Sequence, residues 1–273
     1  MAKDPFNATL VERQDLTAEL AIFRVRADAP VKDFIPGQYT TLGLYQSPEE
    51  AAKNPPSRTG KDNTKPKLIL RAYSIASSPT VRDEHVEFFL VVVDDGELTP
   101  KLWQLKEGDR LFMGPKITGK FTLDDIPPGK DLVMVATGTG LAPFLSMLDT
   151  YRNTDRWRRF IVFHGTRLAQ DLGYRGELET IAREDPTVTY IPSVTREPED
   201  SPWQGLRGRV PSILKPGNYE ELVGAPLDPE QCHIFLCGNP AMIEQVRDDL
   251  GGCGFSVRDR NNPEGNIHFE SYW

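Results

Sequence analysis

Residues 135–148, VATGTGLAPFLSML, run from an apolar stretch into Gly138-Thr139-Gly140 and then Pro143. A buried strand that turns on glycines and opens into a helix brings bare backbone N–H groups to a helix N-terminus, where a pyrophosphate binds. The pattern is G-x-G-x-x-P rather than G-x-G-x-x-G, and a tight turn without ligand explains it nearly as well on its own. Neighbouring strings point the same way. Two further apolar runs end in FHGTRLA and SVTREP, and another arginine pair follows in GLRGRVP. The carboxyl ends of parallel strands line the ligand crevice of an open α/β sheet. Thr166, Arg167, Arg196 and Arg209 can there converge on one anion. An acidic residue favours a ribose 2′-hydroxyl and arginines favour a 2′-phosphate, so the pattern predicts NADP rather than NAD. Any one of these arginines alone reads equally well as a solvated surface residue. CGNPAMIEQV closes another run at Cys237-Gly238 and starts a helix at or near Pro240. Cys237 is by default a small hydrophobe, but at the ligand edge of the sheet it can touch a nicotinamide.

RAYSIASSP, residues 71–79, offers a guanidinium, a stacking ring and a hydroxyl in Arg71, Tyr73 and Ser74. Strand alternation places Arg71 and Tyr73 on one face and Ser74 on the other. An ordinary half-buried strand accounts for this string in isolation. DDGELTPKL places Gly96 and Thr99 at a helix start, a second opportunity for phosphate. The chain ends HFESYW, with Tyr272 and Trp273 last. Aromatic rings carry apolar surface that favours burial, whereas terminal residues are usually loosely held. Other machineries are absent: there is no G-x-S-x-G elbow, H-E-x-x-H or Walker loop. His85, His164, His233 and His268 lack metal spacing. Cys232, Cys237 and Cys253 form no disulfide framework and no zinc or iron–sulfur pattern.

The elements that position these residues change character part-way along the chain. TLVERQDL, ELAIFRVRA, QYTTLGLY, LILRAYSIA, HVEFFLVVV and RLFMG are strand-like, with only TPKLWQLKEG helical, which predicts a small antiparallel barrel. Residues 46–67 read as a polar exposed loop. PPGK at 127–130 is the expected domain boundary. Beyond it DLVMVAT, FIVFHGT, VTYIPSVT and CHIFLCG are continuous apolar runs, as buried parallel strands require. APFLSMLDTYR, YRGELETIARED and AMIEQVRDDLGG are helical, and IHFES can add a last strand. Alternation of this kind predicts an α/β domain with a parallel sheet. RWRRF at 156–160 reads as a solvated turn.

The chain of 273 residues has room for two modest domains. Its formal net charge is −8: residues 1–130 hold 18 Lys+Arg against 19 Asp+Glu, and residues 131–273 hold 14 against 21. That balance argues against a broad nucleic-acid or anionic-membrane surface. No apolar stretch approaches the roughly 18 residues of a membrane span, and the first residues show no apolar secretory segment, so the expectation is a cytoplasmic protein.

Taken in order, the strings resemble the ferredoxin–NADP reductase family, most closely its bacterial ferredoxin (flavodoxin)–NADP reductase branch. The matching stretches are R-x-Y-S at 71–74, VVVDDGELT at 91–99, ATGTGLAPFLS at 136–146, HGTR at 164–167, SVTRE at 193–197, GR at 208–209, LCGNPAM at 236–242 and E-x-Y-W at 270–273. No single string decides the matter, but the ordered set is specific and spans nearly the whole chain. The resemblance implies two domains: an antiparallel β-barrel FAD domain over 1–128, then an α/β parallel-sheet NADP-binding domain over 129–273 with a C-terminal aromatic lid.

The resemblance also implies roles. Arg71 grips the pyrophosphate of non-covalently bound FAD, with Ala72 beside it. Tyr73 stacks on the isoalloxazine, and Ser74 hydrogen-bonds near N5. Leu90, Val91, Val92, Glu97, Leu98 and Thr99 follow the ribityl chain and phosphates, and Thr139 lies near the junction of the cofactors. Thr166, Arg167, Thr195, Arg196 and Arg209 hold the 2′-phosphate of NADP(H). Gly138 and Gly140 form the glycine turn, and Asn239, Pro240 and Ala241 sit near the nucleotide. Cys237 and Glu270 approach the nicotinamide. Tyr272 covers the flavin face, and Trp273 reaches towards the adenine. Two departures stand out: the 46–67 loop is longer than usual, and the chain ends one residue beyond the tyrosine, as in part of the family.

The implied reaction moves a hydride from NADPH to flavin N5 and then single electrons to ferredoxin or flavodoxin. Ser74, Cys237 and Glu270 serve as the catalytic residues. No metal is expected, and a monomer is the default. Lys101, Lys106, Lys116 and Lys120 are candidates for a basic patch facing an acidic carrier. Removal of Tyr272 and Trp273 is expected to tighten NADP⁺ binding and loosen the preference over NAD⁺. Two other readings stay open at this level: the reductase component of an oxygenase, and a nucleotide-binding subunit of a larger electron-transfer complex.

Overall fold

The computed structural model describes residues 6–54, 65–80 and 85–272. In the first half, β1 (Ala8–Asp15), β2 (Leu20–Ala27), β3 (Tyr39–Tyr45), β4 (Leu68–Ser74), β5 (Val86–Val91) and β6 (Arg110–Met113) form an antiparallel sheet ordered β4-β3-β6-β1-β2-β5. The sheet curls until its edges meet. Just beyond β4, the Ala76 N–H donates to the Glu87 carbonyl in β5 at 2.9 Å. Inside the curl Leu10, Phe23, Val25, Leu42, Phe88 and Leu111 form one apolar core, which removes strand edges and buries one face of each strand.

Two short helices decorate the barrel. The 46–67 stretch, expected to be loop throughout, contains α1 (Pro48–Ala52). Ser47 and Glu50 form a capping box there, and Ala51 is buried. Residues 55–64 of the stretch lie outside the described residues. The predicted helix from 99 to 108 shortens to α2 (Thr99–Leu102), because the chain turns at Gln104 and leaves towards β6.

In the second half, β7 (Asp131–Thr137), β8 (Arg159–Thr166), β9 (Val188–Val194), β10 (Leu206–Arg207), β11 (Cys232–Gly238) and β12 (Ile267–Ser271) form a parallel sheet ordered β10-β9-β8-β7-β11-β12. Every residue of β11 is buried, as its unbroken apolar run predicts. Helices α3 (Ala142–Tyr151), α4 (Arg175–Glu184), α5 (Val210–Ile213), α6 (Pro216–Val223) and α7 (Pro240–Gly251) complete the layers. Neither α5, α6 nor the two-residue β10 has enough periodicity to be read from sequence.

RWRRF is not a solvated turn. Trp157 is buried, and Arg158 and Arg159 both hydrogen-bond the fully buried Asp131 carboxylate. Burial opposes ionisation of Asp131, but the two guanidinium groups outweigh it and hold the carboxyl below its usual range. The two domains share an apolar interface in which Leu20, Ile22, Phe89 and Phe121 of the first domain form one cluster with Phe144 and Phe235 of the second.

Candidate active site at the seam of the two domains

The strand order reverses at β7, whose neighbours are β8 on one side and β11 on the other. The carboxyl ends of such strands frame the ligand crevice of an open α/β sheet. Here they are Thr137, Gly138 and Cys237-Gly238. Gly138 has φ +52° and open space where a Cβ would lie. Gly140 has none: a Cβ would sit 2.3 Å from the Cys237 carbonyl oxygen. The turn between them is one 3-10 turn, Gly138–Leu141, which runs straight into α3. Thr139 within it is buried. Across the switch point, Thr137 Oγ1 accepts the Asn239 N–H at 2.8 Å. The Asn239 side chain itself caps α7 by accepting from the Ala241 N–H at 2.9 Å, with Pro240 in the first turn.

His164 contacts this turn from β8, and sequence spacing does not reveal it. Its imidazole is fully buried in β8 and contacts two partners, the Gly138 carbonyl at 3.2 Å from Nε2 and the Tyr190 hydroxyl at 3.1 Å from Nδ1. A carbonyl only accepts, so Nε2 carries the proton and Nδ1 accepts from Tyr190. Burial pulls the imidazole pKa down to about 4, so the ring is neutral and braces the glycine turn. The G-x-G-x-x-P string points to the turn but not to its brace, which comes from another strand.

The predicted arginines Arg167, Arg196 and Arg209 lie beyond the ends of β8, β9 and β10 respectively. Arg167, Arg196 and Arg209 are exposed, and none forms an ion pair among the described residues. Arg207 differs: its guanidinium is held by the carbonyls of Glu197 and Pro198. Thr166 Oγ1 donates within its own loop to the Leu168 carbonyl at 2.8 Å, and Thr195 Oγ1 donates across to the Thr166 carbonyl at 3.2 Å. Their hydroxyl protons are therefore committed to backbone.

The barrel meets this crevice at the end of β4. Ser74 Oγ donates to Glu270 Oε1 at 3.1 Å, joining residues 196 apart in sequence. Glu270 lies opposite Cys237 in the β11–β12 register. Tyr272 anchors its N–H on the Gly238 carbonyl at 3.0 Å, and its hydroxyl lies beside Ser74 and Cys237. Cys237 is fully buried, so the contact with nicotinamide expected of it is closed while Tyr272 lies beside it. Burial pushes the Glu270 carboxyl up against the opposing effect of the Ser74 hydrogen bond, and pushes the Cys237 thiol far up. Trp273 lies outside the described residues.

Along β4, Arg71 is exposed and paired with Glu97, Ala72 is exposed, and burial pushes the half-buried Tyr73 phenol up to about 12. Val91 and Val92 are half-buried at the end of β5. Leu90 and Leu98 turn their side chains into the barrel core, so only their backbone is open to a ligand. Thr99 Oγ1 accepts the Val93 N–H at 2.9 Å and thereby closes the β5–α2 turn.

Comparison with known proteins agrees with this geometry. Residues 134–248 match the oxidoreductase NAD-binding domain family. A ferredoxin NADP⁺ reductase from Neisseria gonorrhoeae, solved with bound FAD and NADP, superposes with a TM-score of 0.81 at 26% identity, covering 98% of this chain and 99% of that one. The flavodoxin/ferredoxin–NADP reductase of Escherichia coli is 32% identical over 253 residues, 93% of each chain. This chain belongs to the flavodoxin/ferredoxin–NADP reductase family. A ferredoxin–NADP reductase of Pseudomonas aeruginosa is 36% identical over 211 residues, covering 74% of this chain and 79% of the relative. Membership in the flavodoxin/ferredoxin–NADP reductase family makes the protein an oxidoreductase with an electron-transfer partner. Among the described residues no helix is long and apolar enough to cross a membrane.

Proposed function

We propose that this protein transfers electrons between NADPH and ferredoxin or flavodoxin through FAD, with residues 1–128 as the FAD-binding domain and 129–273 as the NADP-binding domain. The observation that carries the reading is the meeting of Ser74 from the barrel with Glu270, Cys237 and Tyr272 at the switch point of the parallel sheet. Bound FAD would supply hydride acceptance from NADPH and one-electron release to the carrier. The residues present fit both cofactors. Gly138 leaves an open cradle at a helix start, and three exposed arginines that form no ion pair among the described residues follow on neighbouring strand ends.

Arg167, Arg196 and Arg209 bind the 2′-phosphate, with the backbone around Thr166 and Thr195 shaping the pocket. Gly138, Thr139 and Gly140 present N–H groups to the pyrophosphate of the nucleotide, and the exposed start of α7 at Asn239, Pro240 and Ala241 borders it. Arg71 holds the FAD phosphates and Glu97 orients it from the opposite side. Tyr73 and Tyr272 cover the flavin, and the backbone from Leu90 to Val92 and around Leu98 and Thr99 lines its chain. Ser74 and Glu270 hold a proton at the seam: the raised carboxyl accepts from the serine and keeps a proton at higher pH than an exposed glutamate. Of the lysines expected to face the carrier, Lys106, Lys116 and Lys120 are exposed, whereas Lys101 is neutralised by Glu50.

The test is the visible spectrum of the purified protein before and after addition of NADPH, repeated with NADH. A flavin spectrum bleached by NADPH and slowly or not at all by NADH is expected. A colourless protein, or a flavin that NADPH does not bleach, refutes the reading.

A further inference from the structure

Away from the catalytic seam, and from the 124–126 connection where Arg156 and Arg258 bond, polar contacts pin the two domains at two places. At the first, Ser146 of α3 donates to the Ser77 carbonyl at 2.7 Å, and the Ser78 and Thr150 hydroxyls are 2.7 Å apart. At the second, the Tyr174 hydroxyl donates to Glu87 Oε1 of β5 at 2.7 Å. Arg24 of β2 holds the other oxygen of Glu87 at 2.7 Å and also pairs with Glu12. The first pin lies on α3 and the second at the N-cap of α4, so together they restrain rotation of one domain on the other.

The backbone at the second pin is shaped to make this contact. Tyr174 has φ +60°, a left-handed conformation that a tyrosine adopts only when its surroundings impose it. Its ring meets Phe89 edge-on with centroids 5.2 Å apart. Gly173 beside it lies so close to the barrel that a Cβ would sit 2.4 Å from Phe89 Cζ. The same segment is bound back to the proposed 2′-phosphate loops: the Ala169 N–H donates to Glu197 Oε2 at 2.7 Å, and Thr166 Oγ1 donates to the Leu168 carbonyl at 2.8 Å. On the barrel side, Glu87 and Val91 lie on one strand, β5. A short rigid connection thus runs from the nucleotide loops through Tyr174 to the strand proposed to line the flavin.

We infer that Tyr174, through its hydrogen bond to Glu87, is a positioning residue that sets the distance between the two halves of the active site. The inference rests on the function proposed above. Hydride transfer needs reacting atoms about 3–3.5 Å apart, and a displacement of about 1 Å costs up to 100-fold in rate. The groups proposed to bind the nucleotide lie on the α/β domain, so its affinity is not expected to share that sensitivity.

The experiment compares wild type with Tyr174→Phe, which keeps the ring and removes only the hydroxyl, and with Glu87→Ala and the double variant. Stopped-flow reduction of the bound flavin by NADPH should slow by about tenfold or more in each. NADP⁺ dissociation constants and reoxidation of the reduced flavin by a one-electron acceptor should stay within about twofold. The double variant should be no slower than the worse single one, because both remove the same bond. In cofactor-free protein, hydrogen exchange should accelerate in Tyr174→Phe over residues 172–178 and 86–91 and stay unchanged over 232–238. Flavin reduction at the wild-type rate in Tyr174→Phe overturns the inference. So does an equal slowing of both half-reactions together with weaker nucleotide binding, which is the mark of general destabilisation. Failure of wild type itself to be reduced by NADPH refutes the proposed function instead, and unchanged exchange in the cofactor-free variant refutes the pin independently.

Discussion

Replacing His164 by glutamine is expected to remove part of the acid sensitivity of folding. The buried imidazole has its pKa pulled from 6.5 down to about 4. The unfolded chain therefore takes up this proton before the folded one. The stability that follows is fully present above the unfolded value of 6.5 and is lost as pH falls through the window down to about 4. Linkage gives a loss of about 3 kcal/mol over the whole window and about 2 kcal/mol between about pH 7 and pH 5. The physical source is burial of the ring, which outweighs the Gly138 contact that favours the charged form. Nδ1 accepts from Tyr190 while Nε2 faces the Gly138 carbonyl. Glutamine retains a side-chain N–H for that carbonyl and does not titrate. Urea unfolding of both proteins at three pH values reads the effect as a difference in slope, so any constant loss from the substitution cancels. His233 and His268, also lowered to about 4 and about 3, are present in both proteins and cancel too. Equal slopes for wild type and His164→Gln, or a His164 ring proton resonance titrating near 6.5, refute the assignment of this ring as a neutral brace.

Other consequences test the site itself. Ser74→Ala removes the donor to Glu270 and should slow flavin reduction by NADPH by about tenfold, the worth of one hydrogen bond to a charged group; a stopped-flow rate equal to wild type ends the proton-handling role. Arg196→Ala and Arg209→Ala should each weaken NADPH binding by about tenfold and leave NADH untouched. Arg207→Ala, whose guanidinium is bound to the carbonyls of Glu197 and Pro198, should leave the ratio of the two nucleotides unchanged; titration of the three variants separates the roles, and a ratio that moves most in Arg207→Ala reverses them. Tyr272→Ala uncovers Cys237 and removes a ring that the nicotinamide must displace, so NADP⁺ should bind about tenfold tighter. An unchanged dissociation constant in equilibrium titration rejects the lid.

Much of this molecule was legible because local sequence and local environment agree. CHIFLCG reads as a buried parallel strand since both of its faces are covered, and β11 is buried at every residue. The glycines of the β7–α3 turn were legible too, because φ +52° at Gly138 and the missing space at Gly140 demand that residue type. The Ser47–Glu50 capping box is equally readable as S-x-x-E, although it lies inside a polar stretch. RWRRF misled because a run of arginines looks solvated, whereas the carboxylate that binds two of them lies 27 and 28 residues away.

By itself the sequence determined the residue types and strand ends: which segments are strands, which turns need glycine, and that arginines rather than acids follow β8 and β9. Only the tertiary structure decided which of those side chains act together. Ser74 meets Glu270 across 196 residues, Arg209 is left open while Arg207 is bound to backbone, Arg71 finds Glu97, His164 contacts the glycine turn, and Tyr174 reaches Glu87 of the barrel. Helix and strand patterns come from neighbours along the chain, which periodicity records. Pairing of polar side chains is settled by which surfaces the folded domains bring within about 3 Å of each other, and a linear order carries no such distance.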